Sequence, residues 1–104
     1  MTANLPPERD IDSLMRRLRE ELPAVGRRYG VASLGIFGSY VRHEERPDSD
    51  LDVLVTFTRT PTLLEFLDLE NHLSDVLGVR VDLVMENALR PRIGDRIRQE
   101  LVLL

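Results

Sequence analysis

The sequence predicts a small α/β (α+β) domain, one mixed β-sheet with helices packed against it. Two observations carry that prediction. Hydrophobic residues recur at helical spacing in some segments and as short β-branched runs in others, and the two kinds of segment interleave along the chain. The 104 residues suffice for one core of this type and leave no room for a second, so residues 1–104 are expected to form a single domain.

The elements follow in order. Residues 8–22 are expected to be an amphipathic helix, because Ile11, Leu14, Met15, Leu18 and Leu22 fall on one face. Asp10 or Asp12 is placed to cap its start. Pro23 lacks the N–H for the next backbone bond and should end or kink the helix, and "VGRRYG" closes the segment at Gly30. "VASLGIF", residues 31–37, reads as a buried strand ending at Gly38-Ser39. Residues 40–49 are polar and hold Pro47, which suits a short helical turn followed by a loop. "DLDVLVTF", residues 50–57, is a second strand. Thr62 and Glu65 form a capping box for a helix whose inward side is expected to carry Leu63, Phe66, Leu69, Leu73, Val76 and Leu77. Gly78 is placed to stop it. "VRVDLVM", residues 79–85, is a third strand, and Pro91 opens another helix with Ile93 and Ile97 facing in. The closing "ELVLL" suits either the last turn of that helix or a short final strand.

Bulk composition narrows the function. Hydrophobic residues at 42% and charged residues at 31% describe a soluble, folded chain rather than a disordered one. No apolar run is long enough to span a membrane, and the N-terminus lacks a signal-peptide pattern. Cysteine is absent, which removes disulfides, thiolate metal sites and cysteine nucleophiles, and suits the cytoplasm. The net charge of −4 argues against direct nucleic-acid binding, which needs basic residues against phosphates. All 14 basic residues are Arg, so a lysine Schiff base and a Walker-type loop are excluded. The arginines at 16, 17, 19, 27 and 28 are flanked by Glu20 and Glu21 and read as a solvated helix face. His72 has no partner at metal-ligand spacing, and Tyr40 is expected to pack or hydrogen-bond locally.

The informative stretch is "FGSYVRHEERPDSDLDVLV". Alternation along a strand sends Asp50 and Asp52 to one side and Leu51, Val53 and Val55 to the other. Two like charges opening a buried strand are costly unless something positive lies between them. A hard divalent cation such as Mg²⁺ suits carboxylate oxygens and keeps positions for phosphate. Asp82 is a third acid in an otherwise apolar strand, and pairing of the third strand beside the second brings it to the same place. Three acids so placed suit two cations roughly 3.5–4 Å apart. Asp82 is then placed to act as base toward an incoming hydroxyl. Gly38 lets a phosphate approach the backbone, Ser39 adds a hydroxyl, and a helical turn from Ser39 aims free N–H groups at the anion. Arg42 is a candidate phosphate contact or a partner of Glu44 or Glu45. A calcium loop at "DSDLD" lacks its turn glycine and terminal glutamate.

Strand, Gly-Ser, ten residues, Asp-x-Asp and a later strand Asp together resemble the G-S-x10-D-x-D signature of the DNA polymerase β-like nucleotidyltransferases. In length and layout the chain is similar to the minimal nucleotidyltransferases, over a span from about Gly30 to Leu104. The resemblance implies the polymerase β-like fold. It implies phosphate binding at Gly38 and Ser39, metal binding at Asp50 and Asp52, and a metal-ligand or base role at Asp82. It also implies ATP as substrate, two Mg²⁺ ions, and a hetero-oligomeric partner, a HEPN-family ribonuclease toxin. On that reading AMP passes from ATP to a toxin tyrosine, and the chain is an antitoxin. The alternative is a catalytically inactive antitoxin that neutralises its toxin by occlusion. The chain departs from the family pattern at His43, where relatives commonly carry glycine, so His43 is expected to need a positive φ.

Overall fold

Alternating apolar residues drive three long strands to pair edge to edge, and amphipathic helices then close over the sheet. The computed structural model describes residues 10–104. The elements are α1 (Ile11–Tyr29), β1 (Val31–Phe37), β2 (Leu51–Phe57), α2 (Leu63–Leu77), β3 (Val81–Met85), a 3₁₀ turn (Glu86–Ala88), α3 (Pro91–Glu100) and β4 (Val102–Leu103). The sheet order is β3-β2-β1-β4. β1 runs antiparallel to both β2 and β4, and β2 runs parallel to β3, so the sheet is mixed as expected. The parallel pair needs a crossover, and α2 supplies it. No helix among the described residues is long and apolar enough to cross a membrane.

One face of the sheet forms the main core. Leu34 and Ile36 of β1 and Leu51, Val53 and Val55 of β2 meet Leu14 and Leu18 of α1 and Leu69, Leu73 and Leu77 of α2, all with no exposure. On the opposite face a smaller cluster joins Phe37, Leu54 and Ile97, with Leu89 and Leu101 against it. α3 therefore lies across the face that carries the acids.

Three expectations need correction. α1 does not stop at Pro23 but runs to Tyr29. Pro23 and Arg19 lie on the exposed side, where water can take the carbonyl left without its donor, and the burial of Val25 and Tyr29 holds the last turns. The expected start at residues 8 and 9 lies outside the described residues. Leu63 is 73% exposed rather than inward. Phe66 already packs against Phe57, the last residue of β2, so a residue one turn earlier has no strand beneath it. Ile93 is also exposed, because Gly94 and Ile97 make the buried stripe of α3 and Ile93 sits at its edge.

Other signals are met. Asp10 accepts from the N–H of Asp12, and Gly30 and Gly78 cap α1 and α2 at φ 75° and 71°. Both halves of the Thr62–Glu65 capping box form, and the Thr62 N–H bond helps hold Glu65's carboxyl below its usual range. "ELVLL" divides: Glu100 ends α3 and Val102–Leu103 form β4 beside β1. His72 pairs with Glu21 at 2.9 Å, and Arg17 reaches the Leu77 carbonyl at the end of α2.

Candidate active site

The acids are positioned by strand register. Phe37, the last residue of β1, lies opposite Asp52, and Asp52 lies opposite Asp82 on β3. Asp52 and Asp82 therefore share one face of two adjacent parallel strands. Residue 52 follows the strand's first residue and residue 82 follows that of β3, so both acids stand at the same end of the sheet. Asp50 lies just before β2 and is half-buried, with an oxygen 3.8 Å from Arg80.

The glycine–serine turn meets this acid row directly. Gly38 has φ 86°, the left-handed region that costs a side-chain-bearing residue. A Cβ there would come within 2.0 Å of an Asp52 carboxylate oxygen, so the close approach itself demands glycine. The chain then makes the expected single helical turn: the N–H groups of Val41 and Arg42 both donate to the Gly38 carbonyl at 3.1 Å. Glu44 N–H closes back on the Ser39 carbonyl at 2.9 Å. His43 takes φ 59°, the positive value expected of it. Tyr40 is buried in the main core.

Negative charge accumulates here. Asp52 titrates at about 6 rather than 3.8, chiefly because burial disfavours its charged form, and next because Asp82 and Asp50 repel it. The Arg42 guanidinium works in the opposite direction. Arg42 bonds Glu44 through Nε at 3.0 Å and both Glu100 oxygens through Nη1 at 3.1 Å; Glu45 is not its partner. Glu100 also accepts from the N–H of Gly38.

Two clefts flank the acids. One, of about 210 Å³, is bounded by Phe37, Gly38, Arg42, Asp52 and the α3 residues Ile93, Arg96, Ile97 and Glu100. The other, of about 370 Å³, is bounded by Asp50, Asp82, Arg80 and the α2 residues Glu70, Asn71 and Ser74. The fold thus gathers Gly38, Arg42 and Asp52 around one hollow and Asp50 and Asp82 around its neighbour, with Asp52 and Asp82 paired in register between them. Ser39 is half-buried beside Gly38.

The donor set suits a hard divalent cation. All three acids offer carboxylate oxygens, and repulsion from Asp82 and Asp50, added to burial, raises Asp52 in a way that a bound cation would offset. Three such side chains do not yet converge on one point among the described residues, since Asp50 leans toward Arg80. Arg80 is 81% exposed, so the pair is weak and Asp50 is easily turned.

Sequence reasoning did not single out Glu100 or Arg96. Glu100 lies 62 residues from Gly38, in a segment whose secondary structure the sequence left open, and a lone acid at a helix end carries no local signal.

Residues 15–104 match the nucleotidyltransferase domain family. The protein adenylyltransferase MntA of Thermococcus cleftensis is 44% identical over 93 residues, covering 89% of this chain and 91% of that one. A solved protein provisionally described as a minimal nucleotidyltransferase superposes with a TM-score of 0.77 at 37% identity, covering 99% of this chain and all of that one. A more distant match, in the complex of a tri-AMPylated Shewanella oneidensis HEPN toxin with its MNT antitoxin, has a TM-score of 0.58 at 19% identity and covers 90% and 67% of the two chains. At that identity the likeness is one of fold.

Proposed function

The chain belongs to the nucleotidyltransferase domain family, and from that premise we propose that it transfers AMP from ATP to a tyrosine of a HEPN ribonuclease toxin, acting as the cytoplasmic antitoxin of that partner. The observation that carries the reading is the pairing of Asp52 with Asp82 on adjacent parallel strands, directly against the Gly38 turn. Acids in that relation to a phosphate-binding turn suit phosphoryl chemistry, in which positioning and charge do most of the work. The 44% identity to a protein adenylyltransferase supports AMP as the transferred group.

In the reaction, the tyrosine oxygen attacks the α-phosphorus of ATP. A new O–P bond forms, the bond to the β-phosphate bridging oxygen breaks, and pyrophosphate leaves. Asp82, on the open cleft, accepts the hydroxyl proton on a carboxylate oxygen. Asp50, Asp52 and Asp82 would hold Mg²⁺, whose charge, when bound, offsets that of the phosphates. Gly38 admits the phosphates close to the backbone, Ser39 offers a hydroxyl, and Arg42 adds a guanidinium at the cleft wall. The toxin brings the acceptor hydroxyl to the open cleft that Asp82 borders.

Intact-mass measurement of the co-expressed toxin, with and without ATP and Mg²⁺, tests this. A gain in whole AMP units is expected. An unmodified toxin held in a stable complex would instead establish neutralisation by occlusion.

A further inference from the structure

We propose that Glu100 is an intramolecular stand-in for a nucleotide phosphate, occupying two phosphate-binding donors of the site until ATP displaces it. This rests on the nucleotide-transfer reading above and extends it to a residue outside the Gly-Ser and aspartate motif.

Two of the anion-binding donors at the Gly-Ser turn are the backbone N–H of Gly38 and the nearby guanidinium of Arg42. Both are already engaged by one carboxylate. Gly38 N–H donates to one Glu100 oxygen, and Arg42 Nη1 lies 3.1 Å from both. A backbone N–H and an arginine converging on two oxygens of one anion is the arrangement a phosphate would receive.

The placement is otherwise unfavourable for a carboxylate. Asp52 presses on the same glycine from its Cα side, so two acids flank Gly38, and Arg42 borders the same cleft. A nearby like charge disfavours a second ionised acid, which weakens the hold of the site on a carboxylate. A nucleotide phosphate carries more charge and arrives with its own counter-ions, whereas Glu100 brings none.

Displacement does not require the fold to open. Glu100 is the last residue of α3, and its side chain is 24% exposed. The chain after it is anchored independently. Leu101 lies against Gly35, where a Cβ would come within 2.7 Å of it. Val102 and Leu103 pair with Ile36 and Gly35, and Leu104 N–H donates to the Leu34 carbonyl at 3.1 Å. Rotation of the Glu100 side chain toward solvent therefore frees both donors with β4 still in place. Arg42 keeps Glu44 as a partner through Nε.

Calorimetric titration of the wild-type chain, E100Q and E100A with ATP, tripolyphosphate and adenosine, Mg²⁺ present, tests the assignment. Both variants should bind ATP and tripolyphosphate tighter, on the order of tenfold for E100A and less for E100Q, with adenosine affinity unchanged. Thermal melts of the three forms show whether each is folded. Unchanged or weaker phosphate binding in both folded variants overturns the proposal and makes Glu100 a support for Arg42, while leaving nucleotide transfer standing. An equal gain for adenosine also overturns it, since the base would then be what Glu100 obstructs. If no form binds ATP or tripolyphosphate, the nucleotide-transfer reading falls with it.

Discussion

On one face of β2, Leu51, Val53 and Val55 have no exposure and pack beneath α1 and α2. On the other, Asp52 stands half-buried at the wall of an open cleft, paired across the strands with Asp82. The same seven residues serve both faces, because side chains alternate at every step. The apolar face stabilises the fold and also locks the register. A slip of one residue would turn the aspartates into the core and the valines toward the cleft. The charged face uses that fixed register to bring acids together that would otherwise repel each other apart.

The largest test of this contrast removes the charge alone. Replacing Asp50 and Asp52 together with Asn should lower AMP transfer by at least about 10³-fold, read from labelled ATP, because charge stabilisation at such sites is worth that much. The thermal midpoint should not fall. A loss of structure in that double variant would mean that the two faces are not separable.

Leu69→Ala on the apolar side should cost roughly 2–5 kcal/mol in denaturant unfolding. Its transfer activity should track the folded fraction. Gly38→Ala probes the junction of the two regions. A Cβ there meets Asp52 at φ 86°, so a stability loss of about 1–3 kcal/mol is expected, with a larger proportional loss of transfer.

The pH dependence has a definite sign. Asp52 binds its proton more tightly in the folded chain, near 6, than in the unfolded chain, near 3.8. Its contribution is therefore fully present at low pH and lost as pH rises from about 4 to about 6. Allowing for solvent screening of a half-exposed group, the change is ~1 kcal/mol, and D52N should flatten it in urea melts across that range. The smallest effect is at His43. Its φ of 59° is strained for a residue with a Cβ, so His43→Gly should stabilise the chain by about 0.5 kcal/mol, seen as a slightly raised midpoint.

Much of the site was legible because its signals are local. Gly38-Ser39 and Asp50-x-Asp52 lie within one loop and one strand, and period-2 alternation assigns their faces. The placement of Asp82 beside Asp52 depended on β3 pairing beside β2, a long-range event that the sequence could only suggest and the parallel register supplies. Pro23 does not end α1, because a local rule about hydrogen bonds competes with burial, and Val25 and Tyr29 bury enough to carry the helix past it. Leu63 and Ile93 misled because helical periodicity marks an apolar stripe but not where the neighbouring element ends.

By itself the sequence determined the order of elements, their caps and the residue types of the site, since propensity, capping and side-chain alternation act over a few residues. Only the tertiary structure decided which strand lies beside β2, that α3 crosses the acidic face, and that Glu100 reaches Gly38 across 62 residues. Those contacts join segments with no pattern in common, and they exist only after the sheet has brought the segments together.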